Sequence, residues 1–273
     1  MKPVFIFSMP RAGSTLLQRM LARHPAVVTV PEPWILLPQV FAFRRDGVLA
    51  RYRHQFLVQA MNGFCGQLPG GRAAYDRALR QFVLRLYTEA AGEESASHFI
   101  DKSPPYALAV REIIDLFPEG RFVFLWRNPL AVLGSIVASF AHGDWKVHPL
   151  HHLLVEGSHR MVEAADAFRD RVIEVNYETL VDSGEVSMRR ILDYLELPFI
   201  DDCLTGFKDV RFGQKELGDR TGAERYDALS RDSIARWKGV IHNPLRRVAA
   251  GRFLATLGDA TLGRMGYQPD ELR

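Results

Sequence analysis

The chain has 273 residues, of which 47% are hydrophobic, 25% charged and 11% aromatic, and its formal net charge is +3. That length fits one large domain or a domain with a sizeable insertion, and the apolar content is enough for a core, which excludes global disorder. The small net charge permits a local anion site but not the concentrated basic face of a nucleic-acid binder, so no nucleic-acid partner is expected.

Residues 3–8 (PVFIFS) are almost wholly apolar and predict a strand buried on both faces. Leu16, Leu17, Met20 and Leu21 recur at helical spacing, and His24-Pro25 closes that helix. Residues 27–30 read as a second short strand, ended by Pro31-Glu32-Pro33. From 39 to 97 the pattern is helical, with Tyr75, Leu79, Phe82, Val83 and Leu86 on one face; the glycines and proline of 63–72 predict a loop. Further strands are predicted at 98–101, 121–126 and 172–175, with helices at 107–117, 129–140 and 153–168. Met188, Ile191, Leu192 and Leu195 mark another amphipathic helix, and 245–257 a last one.

Strands alternating with helices predict βαβ units, hence an α/β fold: a central parallel β-sheet flanked by helices. The segment 39–97 reads as a helical insertion or cap after the first βα unit, within a single domain spanning 1–273, because no linker marks a second one. Ligands of such sheets sit beyond the carboxyl ends of the strands. The unusual polar residues fall there: the loop 11–15, Lys102 and Arg127.

Cys65 and Cys203 lack Cys or His partners at metal spacing, so neither a disulfide framework nor a zinc site is expected. No run of about 18 apolar residues is present to span a bilayer. The first apolar stretch is broken by Pro10 and Arg11, too early for a signal-peptide core. A cytoplasmic protein is the expectation.

Pro10-Arg11-Ala12-Gly13-Ser14-Thr15 joins a buried strand to a helix. Such a turn aims backbone N–H groups and the positive end of a helix at one point, where an anion is stabilised. Gly13 permits close backbone approach, Ser14 and Thr15 add hydroxyls, and Arg11 adds a planar donor fork. This P-loop-type turn lacks the Gly-Lys-Ser/Thr of nucleotide triphosphatases, since Gly13 directly precedes Ser14. Arg127, at the end of a strand, can pair bidentately with a phosphate, and Ser135 in the next helix can donate to another oxygen.

The loop Pro10-Arg-Ala-Gly-Ser-Thr-Leu-Leu17 resembles the 5′-phosphosulfate loop of sulfotransferases that use 3′-phosphoadenosine 5′-phosphosulfate (PAPS), in its tyrosylprotein and bacterial version rather than the cytosolic one. Arg127 followed by Ser135 matches the arginine–serine pair with which that family grips the 3′-phosphate. The resemblance implies PAPS as cofactor, 3′,5′-bisphosphate (PAP) as product, and cofactor contacts from Arg11, Ala12, Gly13, Ser14, Thr15, Arg127 and Ser135. The segment from Val175 through Tyr177-Glu178 to Leu195 is similar to the family's Tyr-Glu segment and would put Tyr177 near the adenine. Residues 233–239 resemble the segment that closes over the cofactor, where either Arg236 or Lys238 would meet phosphate. The region 39–97 matches no motif of the family.

Transfer of a sulfuryl group requires in-line attack, a base, and positive charge on the oxygens where charge develops. Arg11 and the loop amides suit the leaving phosphate. Asp101-Lys102-Ser103-Pro104 is similar to the segment whose lysine faces the transferred group, so Lys102 is the second catalytic cation. No histidine follows that lysine, and the base implied by the resemblance is Glu32, with His142, His148, His151 and His152 as other candidates. Side-chain cations make a metal unnecessary. The acceptor is a hydroxyl on a small molecule, lipid, polyketide, carbohydrate, phenol or peptide, and Trp34, Phe41, Phe43 and Phe64 are candidate pocket aromatics. A kinase-like phosphotransferase and a non-catalytic nucleotide-binding module remain the alternatives; the oligomeric state is open.

Overall fold

Alternation of side chains along the first strand sets the two layers of the fold. In β1 (Lys2–Ser8), Phe5 and Phe7 point to one face while Val4 and Ile6 point to the other, and all four are fully buried. The computed structural model describes residues 1–92, 96–139, 145, 147–207, 209–210 and 229–272. His142, one of the candidate bases, lies outside them.

Four more strands, β2 (Val27–Thr29), β3 (His98–Asp101), β4 (Arg121–Trp126) and β5 (Val172–Asn176), complete one sheet in the order β2-β3-β1-β4-β5. Every neighbouring pair is parallel. Helix α1 (Ser14–Leu21) connects β1 to β2, and α2 (Leu37–Phe41), α3 (His54–Gln67) and α4 (Gly71–Ala91) lie between β2 and β3. A 3₁₀ turn (Pro104–Leu108) and α5 (Val110–Leu116) precede β4; α6 (Pro129–Ser139) and α7 (His148–Ala167) precede β5. Helices α8 (Tyr177–Asp182) and α9 (Gly184–Tyr194) follow it. The C-terminal part carries α10 (Asp232–Ala235), α11 (Trp237–Val240), α12 (Pro244–Leu257), α13 (Asp259–Arg264) and α14 (Pro269–Leu272).

The face holding Phe5 and Phe7 is aromatic. Phe5 stacks on Phe122 at 5.7 Å between centroids, Phe7 meets Phe124 at 5.3 Å, and Phe117 closes on Phe5 at 4.9 Å. Residues of α5, α7 and α12 cover that layer. The opposite face is aliphatic: Val4, Ile6, Val123, Leu125, Ile173 and Val175 pack under α1 and α9. Each of these large side chains contributes roughly 1.5–3 kcal/mol by burial. Two full cores explain why the predicted strands read as continuous apolar runs rather than alternating ones.

The elements follow the sequence closely, with four differences. In the stretch 39–97 read as helical, residues 42–53 between α2 and α3 form no helix. Helix α3 continues through Gln67, so most of the predicted loop at 63–72 is helical and only the residues before Gly71 turn. Gly63 and Gly66 cost about 1 kcal/mol each in a helix, but a Cβ at either would meet nothing within 4 Å, and Val58 and Cys65 anchor the other side. The predicted helix at 107–117 divides at Ala109 (φ −132°) into the 3₁₀ turn and α5. Helix α7 starts at His148, five residues before the predicted start, because Pro149 is acceptable in a first turn. Among the described residues no helix is long and apolar enough to cross a membrane.

Because β1 is flanked by β3 on one side and β4 on the other, the chain reverses its direction of winding there. Open α/β sheets hold ligands at such a switch point, outside the carboxyl ends of the strands. The ends of β1, β3 and β4 meet at this place.

Candidate active site

The loop after β1 closes tightly. The Ala12 N–H donates to the Met9 carbonyl at 3.1 Å, and both Arg11 (φ 65°) and Gly13 (φ 96°) are left-handed. A Cβ on residue 13 would lie 2.3 Å from the Tyr177 ring, so glycine is demanded twice, by its φ and by the ring. Ser14 opens α1 with no acidic residue in the first turn and no side-chain cap. The first amides of that helix therefore keep their donors available, and the adjoining dipole favours an anion.

Lys102 lies at the end of β3, only 1% exposed. Its Nζ donates to Glu32 Oε1 at 2.7 Å and to Thr15 Oγ1 at 3.3 Å. The other carboxylate oxygen, Oε2, accepts from the Trp34 indole Nε1 at 3.3 Å. Three segments distant in sequence, the start of α1, the turn after β2 and the end of β3, thus meet at one ammonium. A cation so buried is tolerable only with a partner of opposite charge, and the Glu32 side chain supplies it while remaining 11% exposed.

Arg11 reaches across to α6. Its Nε donates to Ser135 Oγ at 3.2 Å and its Nη2 to Ser139 Oγ at 3.0 Å. Ser135 and Ser139 are one helical turn apart on α6, hence on the same face. Ser139 was not singled out by sequence, although its i+4 relation to Ser135 was the available signal.

Arg127 continues β4 and is 8% exposed. Its Nη1 donates to the Arg11 carbonyl at 2.8 Å, its Nη2 to the Ser233 carbonyl at 3.0 Å, and the guanidinium sits 4.1 Å from the centroid of the Tyr177 ring. Burial lowers its pKa, opposed by Tyr177 and Glu178, and the Nε atom is buried with no hydrogen-bond partner. A buried donor without an acceptor costs about 1–3 kcal/mol, and more on a charged group. An anionic oxygen at that donor would remove the cost.

Tyr177 is buried on Gly13, and its hydroxyl shares a 2.7 Å hydrogen bond with Ser233. Ser233 thus links the C-terminal segment to Arg127 and Tyr177. Arg236 and Lys238 are exposed, with Lys238 Nζ 5.9 Å from the Trp237 ring centroid. Trp237 itself packs on Gly134 of α6, where a Cβ would come within 2.9 Å. His148 and His151 line an apolar groove of about 500 Å³ with Leu133, Trp145 and Phe253, and His152 pairs with Glu156 at 3.1 Å. Their contacts are therefore with α7, α12 and the groove, whereas those of Glu32 are with Lys102 and Trp34.

Beneath Lys102 lies a carboxyl that sequence reasoning passed over. Asp101 is completely buried, and it accepts from Tyr87 (2.6 Å), Tyr106 (2.9 Å) and Ser103 (3.2 Å). Burial pushes its pKa up to about 6 despite those donors and the nearby Lys102. Its only sequence signal was adjacency to the lysine, since the tyrosines come from α4 and the 3₁₀ turn.

Residues 3–202 match the model of the Sulfotransferase family, and the chain belongs to that family. It is 32% identical over 140 residues to the nodulation protein NoeE of Sinorhizobium fredii, a match covering 50% of this chain and 31% of that protein. It is 25% identical over 277 residues to the protein-tyrosine sulfotransferase of Drosophila melanogaster, covering 97% of this chain and 52% of the other. The chain thus spans about a third and about half of the lengths of these two curated relatives. The sulfotransferase domain from the curacin biosynthetic pathway has the same fold, with a TM-score of 0.63 at 19% identity over 98% of both chains.

Proposed function

We propose that the chain transfers a sulfuryl group from PAPS to a hydroxyl group, releasing PAP. The observation that carries this reading is the Lys102 ammonium, buried and bonded at once to Thr15 of the anion loop and to Glu32. When bound, the nucleotide supplies an activated sulfuryl group on a 5′-phosphate leaving group.

In this reading the amides at 13–15, with the Ser14 and Thr15 hydroxyls, hold the 5′ end, and Arg11 and Lys102 add positive charge where negative charge develops. Ala12 shapes the turn, its own amide being engaged with Met9. Glu32 accepts the acceptor's proton, since Lys102 holds one oxygen and the carboxylate side chain keeps a share of exposed surface. Arg127, with its unpaired Nε, and Ser135 hold the 3′-phosphate. The Tyr177 ring, fixed between Gly13 and Arg127, forms the base of the nucleotide pocket, and Arg236 or Lys238 approaches from the C-terminal segment. The loop belongs to the P-loop type, the helices between β2 and β3 form a cap within a single domain, and the two free buried cysteines suit a cytoplasmic setting.

The acceptor class extends over small-molecule, lipid, polyketide, carbohydrate and peptide hydroxyls. Labelled sulfate from PAPS, offered with members of each class, tests the function directly. Transfer that disappears in Glu32→Gln while PAP still binds supports the reading; transfer of phosphate from ATP instead would replace it with the phosphotransferase alternative.

A further inference from the structure

The base and the cation sit on different loops, and nothing in their own bond explains what fixes the Glu32 loop. That loop is strained: Trp34 has φ 53°, a left-handed conformation that a bulky residue adopts only when its surroundings enforce it. Its backbone N–H donates to Ser103 Oγ at 3.3 Å, and the Leu36 N–H donates to Tyr106 Oη at 3.3 Å. Both hydroxyls in turn donate to Asp101, Ser103 to Oδ1 and Tyr106 to Oδ2.

A hydroxyl has one proton and two lone pairs. Once Asp101 accepts the protons of Ser103 and Tyr106, the rotors are set and their lone pairs face the amides of residues 34 and 36. A third donor, Tyr87, completes the carboxylate's shell from α4. Trp34, held in this way, presents its indole N–H to Glu32 Oε2 at 3.3 Å. One buried carboxylate therefore orders two hydroxyls, two loop amides and, through the indole, the second oxygen of the base.

We infer that Asp101, acting through Ser103 and Tyr106, is a positioning residue that locks the 31–36 loop so that Glu32 meets the acceptor hydroxyl in one orientation. This rests on the reading of Glu32 as the base. The charged and titratable groups that face Asp101 are Lys102 just after β3, Tyr87 on α4 and Tyr106 on the 3₁₀ turn. None of the three hydroxyl donors touches the anion loop in a described contact, so the effect on nucleotide binding should be small.

Ser103→Ala removes one amide acceptor with minimal change in volume, and Ser103→Thr returns the hydroxyl. The first readout is hydrogen exchange of the Trp34 backbone amide together with the Trp34 indole N–H resonance, assigned by its loss in Trp34→Phe. Ser103→Ala should speed that amide's exchange about tenfold and move the indole resonance, and Ser103→Thr should restore both. The second is turnover with the best acceptor from the labelled-sulfate screen: kcat falls about tenfold while the dissociation constant of PAP, measured by calorimetry, stays within about twofold. Unchanged exchange in Ser103→Ala overturns the clamp, and faster exchange with normal kcat overturns its positioning role. A wild-type protein that binds no PAP and transfers no sulfate refutes the sulfuryl-transfer reading instead, and the exchange measurement still decides the clamp.

Discussion

The two cations at the strand ends are held in opposite ways. Lys102 is paired within the protein, its ammonium 2.7 Å from a carboxylate. Arg127 gives its hydrogen bonds to two backbone carbonyls and leaves Nε unmatched. On the proposed reading the difference separates two tasks: the cation kept short of acceptors would attract a permanent anion, and the cation coupled to a carboxylate would hold a proton acceptor beside the place where bonds change. Burial alone would not distinguish them, because both are almost inaccessible.

The largest effect should come from breaking the pair on its carboxylate side. In Glu32→Gln the amide oxygen still accepts from Lys102, so the site stays folded, but the group no longer takes a proton. A fall in kcat of about 10²–10⁴-fold is expected, with PAP affinity changed by less than about threefold. A loss of affinity as large as the loss of kcat would show that Glu32 shapes the binding site rather than the reaction.

Arg127→Ala tests the other half. Removing this charged donor set from the proposed 3′-phosphate site should weaken PAP by about 10–100-fold and adenosine 5′-phosphate by less than about threefold, as calorimetry with the two ligands would reveal. Equal weakening would erase the distinction between the two ends of the site.

The scaffold beneath Lys102 gives a smaller and opposite kind of signal. The Asp101 carboxyl is raised from the usual carboxylate value near 3.8 to about 6 by burial. The folded state therefore binds its proton more tightly than the unfolded state does. Between about pH 4 and 6 the folded protein carries more protons at this position, so this group's contribution to stability falls as pH rises through that window. The full span is about 3 kcal/mol at most. Denaturant titrations at pH 4, 5, 6 and 7 should show this downward trend in the wild type relative to Asp101→Asn, in which the position does not titrate. Parallel stability–pH curves would remove Asp101 as the source.

Much of this was legible in the chain. The strand runs were unmistakable because both faces of the sheet are covered, so every residue from Val4 to Phe7 had to be apolar. The loop, Lys102, Arg127 and Glu32 were legible because each follows a strand, where side chains lacking a core role gather. What escaped has a physical reason. Asp101 reads as the last residue of a strand, and its meaning depends on two tyrosines that tertiary packing brings to it. Ser233 matters through its backbone carbonyl and a hydroxyl that meets Tyr177, and neither contact has a periodic signature. Gly63 and Gly66 misled in the other direction, since an open helix face tolerates glycines that local propensity would place in a loop.

The finest test concerns the bridge between the two halves. Arg11 belongs to the loop by its backbone, yet its guanidinium lies on α6, bonded to Ser135 and Ser139. Its own carbonyl receives Arg127. This one residue thus meets Arg127 through its carbonyl and α6 through its side chain, and it shares the anion loop with Thr15, the hydroxyl that Lys102 reaches; Ser139 is the contact farther along α6. Ser139→Ala removes a neutral acceptor from a partly buried arginine, a loss worth about 1 kcal/mol when water replaces it. If Arg11 serves the transfer end, the variant should lower kcat by about twofold to fivefold and leave the affinities for PAP and adenosine 5′-phosphate in their wild-type ratio. If Arg11 instead braces the Arg127 pocket, that ratio shifts toward the 5′-phosphate with kcat intact. Measuring both ligands in one variant therefore decides to which half the bridging arginine belongs.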